Sequence, residues 1–182
     1  MIRCIIPATA MMLAGVGCSP PNIEKMPDKE IAVLLSENAI PVSKVTSLPE
    51  KRLLIIAKHL LSIALDKAEH LSKYGDKISR FDFLRYVPLR ETVVALQLLE
   101  PLMRGTKFDK AFSIFDRYMM RYPNKGAGKS YVGYGVVRNW VEEHPWFCHK
   151  AARRLGLNDA SLVLFVLCKR WRVFEPYEER ER

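Results

Sequence analysis

The sequence is poor in the features that usually announce chemistry. Its 182 residues hold four cysteines, Cys4, Cys18, Cys148 and Cys168, and no two stand in the Cys-Xaa-Xaa-Cys spacing of a structural zinc site. His144, Cys148, His149 and Cys168 are metal-capable, but Pro145 makes His144 a helix-cap position, and no metal is expected. A Gly-Xaa-Ser-Xaa-Gly nucleophile elbow and a His-Glu-Xaa-Xaa-His zinc helix are both missing. Glu142-Glu143-His144 sets acids beside a base, yet adjacent positions on a helix point in different directions. No catalytic residue is therefore assigned, no cofactor is implied, and a non-enzymatic role is expected. No apolar run reaches the roughly 20 residues that span a bilayer. Internal repeats and low-complexity segments are also absent.

What is present is enough apolar material for a core and an excess of positive charge. Hydrophobic residues make up 49% and aromatics 10%, the composition of a folded domain rather than a disordered chain. Lys and Arg outnumber Asp and Glu by 29 to 20, which favours anionic surfaces such as lipid headgroups, nucleic acid or an acidic partner.

The first nineteen residues organise the rest. Arg3 is followed by an apolar stretch from Ile5 to Gly17 and then by Cys18, the layout of a secretory signal. The stretch Ala14-Gly15-Val16-Gly17-Cys18 resembles the lipobox of bacterial lipoproteins, with Gly17 before the cut and Gly15 where leucine is usual. That resemblance implies removal of residues 1–17 and attachment of fatty-acyl chains, palmitate among them, to Cys18. The protein would then be held on the periplasmic side of the cell membrane or the outer membrane. Ser19 in place of aspartate beside the acylated cysteine favours the outer membrane. Residues 18–27 read as the lipidated cysteine and its tether. Outside the cytoplasm disulfides persist, and Cys148 and Cys168, twenty residues apart, suit a bridge between neighbouring helices; two buried free thiols is the alternative.

Beyond the tether the expected fold is mainly α: a compact bundle of about six helices over 47–172, preceded by a short helix-strand unit at 28–46 and followed by a charged tail at 173–182. Asp28 to Ser36 reads as a helix ending at Asn38, and Ala39 to Val45 alternates as an edge strand broken by Pro41. DKEIAVLLSENAIPVSKV, residues 28–45, is similar to the opening of the ring-building module in the ring-forming lipoprotein of type III secretion systems. The resemblance implies a secretion setting; the sequence departs from it after Val45, where it turns helical.

Ser47-Leu48-Pro49-Glu50 opens the next helix, which runs to Tyr74 with Leu53, Ala57, Leu60, Ala64, Ala68 and Leu71 on one stripe. Residues 79–86 are short and aromatic. Pro88 restarts a helix with Leu89, Val93, Leu96 and Leu99 on one side, and Gly105 stops it. The best periodic match is Phe108, Phe112, Phe115, Met119 and Tyr122, read as core. Residues 123–135 form the longest loop signal. Its Gly128-Lys129-Ser130 matches the end of a phosphate-binding loop, but Pro123 stands where the first glycine belongs, so Lys125 and Lys129 are read as contacts for an anionic partner. Helices from Val136, from Trp146 and from Asn158-Asp159 complete the chain.

Two functions follow. The first is a membrane-anchored, non-catalytic scaffold of an envelope complex, with the membrane as one partner and envelope proteins as the others. The second is a DNA-binding regulator, because Ala151 to Cys168 looks like a helix-turn-helix with its turn at Gly156. In the second helix, Leu162 to Leu167 is apolar throughout, which predicts burial on every side and leaves no face for reading bases. Nucleic acid is accordingly not the expected partner.

Overall fold

The computed structural model describes residues 22–74, 77–79, 87–122 and 131–171, with the backbone alone for 131–135 and Cys168. Among the described residues there are seven α-helices and no strand. They are α1 (Asp28–Ser36), α2 (Glu50–Tyr74), α3 (Leu89–Arg104), α4 (Phe108–Arg121), α5 (Tyr131–Glu143), α6 (Pro145–Leu155) and α7 (Val163–Arg170). The mainly helical bundle read from the sequence is the fold observed.

The centre of the bundle is α3, which packs on α1, α2, α4, α5 and α6. Its sequence fits that place: Val94, Ala95, Leu96, Leu98, Leu99, Leu102 and Met103 are all buried, so apolar groups cover most of its circumference. Leu89, expected on the core side, is exposed instead, and the buried arc begins at Glu91 and Thr92. The aromatic stripe of α4 does form core, with Phe108 and Phe112 meeting Phe147 of α6 at ring separations of 5.9 and 6.0 Å. Each such ring buried contributes roughly 1.5–3 kcal/mol through apolar transfer.

The expected strand after α1 is not there. Asn38 takes a left-handed conformation (φ 60) that ends the helix, with the Ala39 N–H donating to the Leu34 carbonyl at 2.8 Å. Val42–Lys44 then curls into a 3₁₀ turn that turns Val45 and, with the next residues, Leu48 into the core. A lone extended segment has no neighbour to take its backbone hydrogen bonds. Here the Val45 and Thr46 N–H groups reach the Val42 carbonyl instead.

One boundary moves and another holds. The helix expected from Val136 begins at Tyr131, so Gly133 and Gly135 lie inside α5. Each glycine costs a helix about 1 kcal/mol, which the packing of α5 on α3 and α6 outweighs. Gly156 ends α6 in the left-handed region (φ 69), with the Leu157 N–H on the Ala152 carbonyl at 2.8 Å.

One cation holds the end of the central helix. Lys150 Nζ donates to the carbonyls of Met103 (3.0 Å), Arg104 and Gly105 (3.2 Å), placing an ammonium on the negative end of the α3 dipole. Lys150→Met is expected to lower stability by about 1–2 kcal/mol, read as a lower urea midpoint at unchanged slope. An unchanged midpoint would show that solvent replaces the cap.

Candidate functional site

Cys18, Lys125 and Lys129, the lipid-bearing and anion-contacting residues read from the sequence, lie outside the described residues, as does the aromatic stretch at 80–86. Cys148 sits half-buried on α6 as a free thiol, its Sγ donating weakly to the Val141 carbonyl at 3.8 Å. Burial pushes that thiol above its ordinary value, so it is a poor nucleophile. The backbone of Cys168 is in α7, which packs against α6; its side chain is not among those described.

The pair α6 and α7 is the stretch that looked like a helix-turn-helix. Asp159 caps the 3₁₀ turn Ala160–Leu162 by accepting from the Ser161 N–H at 2.8 Å, and α7 follows at once. Contrary to the all-round burial expected of it, α7 buries only one edge, Val163 and Leu167, with Trp171 just beyond. Leu162 and Phe165 are 49% and 57% exposed. The reason is geometric. At eight residues, the helix packs among the described residues on α6 and, through Arg170, on α4. Its outer surface presents apolar groups and Lys169 where a base-reading helix needs Arg, Asn or Gln. Beside it, Val141, Pro145, Cys148, Ala160 and Leu164 line a shallow groove of about 450 Å³.

Among the described residues no three His, Cys, Asp or Glu side chains converge on a metal position. His144 is committed elsewhere. Its Nδ1–H donates to the Trp140 carbonyl at 2.6 Å, Nε2 lies 3.4 Å from Glu100 Oε1, and the ring stacks on Trp140 at 4.3 Å. Arg104, paired to Glu100, covers Trp146 at 4.8 Å from the ring centre.

Three polar clusters were not visible in the sequence. At the junction of α1, α2 and α3 the wholly buried Glu91 receives Ser36 Oγ (2.5 Å) and Lys67 Nζ (2.6 Å) on a single oxygen, Oε1. Its Oε2 is buried without a partner. A serine, a carboxylate and a lysine are the parts of a nucleophilic site, but none of the three lines the adjacent groove of Val42, Leu89, Arg90 and Val93. The cluster therefore pins helices together.

At the far end of the chain Arg170 grips Asp116 with two hydrogen bonds (2.8 and 2.7 Å), and the indole N–H of Trp171 adds a third at 2.8 Å. Burial works against ionisation of Asp116. The hydrogen bonds from Arg170 and Trp171, with the charges of Arg170 and Arg154, outweigh it and hold the carboxyl below its ordinary range.

The third cluster fixes the start of the folded body. Arg52 Nε donates to Asp28 Oδ1 at 2.7 Å, Nη1 to the Glu24 carbonyl at 2.7 Å and Nη2 to the Met26 carbonyl at 2.5 Å. Met26 and Lys25 turn back on the carbonyls of Ile23 and Asn22. Glutamate or aspartate in a helix's first turn reads from sequence as dipole chemistry, as Glu91 does, and gives no sign of a long-range partner. No family model matches this chain, and neither a characterised protein nor a solved structure is similar to it.

Proposed function

We propose that the chain is a membrane-anchored lipoprotein acting as a non-catalytic scaffold of a bacterial envelope complex, with a secretion machine as its setting. The observation that carries the reading is the leader itself: Arg3, the apolar stretch Ile5 to Gly17, and a cysteine directly after small residues. The position of the folded body agrees with it. Arg52 ties Glu24, Met26 and Asp28 to α2, and Glu24 lies six residues after Cys18 in the sequence. A lipidated cysteine followed by a short link and a compact helical domain is the arrangement a tethered assembly part needs. The exposed Leu162 before α7 and Phe165 on it supply apolar surface for a protein partner.

Metabolic labelling with a fatty-acid analogue tests the proposal. The natural chain is expected to take up label and to fractionate with membranes, and Cys18→Ser to do neither. Full-length protein recovered unlabelled from the soluble fraction, still beginning at Met1, would overturn it.

A further inference from the structure

We infer that the outer face of α4, with the adjoining ends of α6 and α7, docks on anionic lipid headgroups. This rests on the lipoprotein reading for the identity of the bilayer and on the distribution of charge for the surface itself. Residues 107–121 and 150–170 carry nine Lys or Arg against three Asp, whereas the described residues from 22 to 104 carry eleven Lys or Arg against nine Asp or Glu. The positive excess is therefore concentrated on three helices, and those helices are neighbours.

Two ion pairs join them. Arg154 Nε of α6 lies 3.0 Å from Asp109 Oδ1 at the start of α4, and Arg170 of α7 binds Asp116 one heptad later. These pairs occupy two of the three acids counted, so among the described residues Lys110, Arg117, Arg121, Arg153 and Lys169 are exposed with little negative charge on these helices to offset their field. Exposed apolar side chains accompany the cations on the same elements: Met120 on α4, Leu162 in the turn before α7 and Phe165 on α7. Apolar tips among Lys and Arg suit the headgroup region, where the tips enter the acyl boundary and the cations meet phosphate. DNA would be met by the same cations but gains nothing from the apolar tips.

The face also lies where an anchor would bring it. A shallow groove on α4 is shared by Lys110, Ser113, Ile114, Arg117 and Leu54 of α2. Leu54 is two residues beyond Arg52, which clamps the start of the folded body. Six residues of chain reach at most about 21 Å, so an acylated Cys18 would hold this corner of the bundle near the bilayer. A polybasic face then adds a second, independent membrane signal to the lipid.

The test is co-sedimentation of the full chain with phosphatidylcholine vesicles, with and without about one third phosphatidylglycerol, read as the ratio of the two affinities. The ratio cancels any contribution from the leader or an attached lipid. The natural chain is expected to prefer anionic vesicles. Replacing Lys110, Arg117 and Arg121 by Gln should reduce that preference about a hundredfold, since each basic group contributes roughly fivefold. Replacing Lys44, Lys73 and Lys77 by Gln removes the same charge elsewhere and should change it by less than about threefold. Equal binding to both vesicles, or equal loss in the two triple variants, overturns the inference. So does duplex DNA at the same salt bound more tightly than anionic vesicles and lost with the α4 variant. Failure of fatty-acid labelling at Cys18 with anionic preference intact would remove the anchor and leave this surface standing.

Discussion

Asp116→Ala is expected to lower the stability of the protein by about 3 kcal/mol, enough to shift the thermal midpoint by roughly 6–12 °C for a domain of this size. The loss has two parts. The Trp171 indole N–H, in a side chain only 1% exposed, would lose its Asp116 acceptor, and Arg170 would lose a two-point carboxylate partner. Asp116→Asn keeps one acceptor for the indole and should cost less. The pH dependence has a definite sign. Because the folded protein holds the Asp116 carboxyl below its ordinary value, the stability it contributes is fully present above the unfolded-state value of about 3.9. It is lost as pH falls through the lower folded value. Acid titration of the unfolding free energy should thus be shallower in Asp116→Asn than in the natural protein. Equal slopes would show that the latch is not formed in solution.

The second large effect is asymmetric. Lys67→Met should destabilise by about 3–5 kcal/mol, because among the described residues it leaves the buried Glu91 carboxylate with Ser36 Oγ as its donor and Oε2 still unsatisfied. Replacing both partners, Glu91→Leu with Lys67→Met, removes the buried charge and the orphaned oxygen together. Stability should then return to within about 1 kcal/mol of the natural protein, or exceed it. Urea unfolding of the two variants measures the difference. A double variant as unstable as Lys67→Met would mean that the site cannot repack around apolar groups, and that the cost lies in shape.

What the sequence disclosed follows from which physics is local. The stripes of α2 and α4 were legible because burial repeats every three or four residues, and each residue named on them is in the core. Gly156 and Asn38 were legible as helix ends because few other residues accept a left-handed backbone. The segment after α1 misled because a β-branched, alternating composition describes side chains that suit a strand; whether a strand forms depends on a neighbour to bond with, and among the described residues there is none. The apolar run in α7 misled in a similar way. Composition gives what a helix could bury, but only the arrangement of neighbours decides how much of it is covered. The clusters around Glu91, Asp116 and Arg52 join residues 24 to 55 positions apart, and no pattern within one segment marks them. Of the residues first singled out for function, Cys148 is placed on α6, while the lipidated cysteine and the two loop lysines fall outside the described part of the chain.

All three indoles of the protein, Trp140, Trp146 and Trp171, belong to its last third. Two lie against the His144 ring and the third is sealed over the Asp116 carboxylate, while α1, α2 and α3 contain none. Ultraviolet emission from this molecule is therefore a view of one region, whereas circular dichroism sees every helix. If the two signals change at different denaturant concentrations, the carboxyl-terminal helices come loose as a unit of their own.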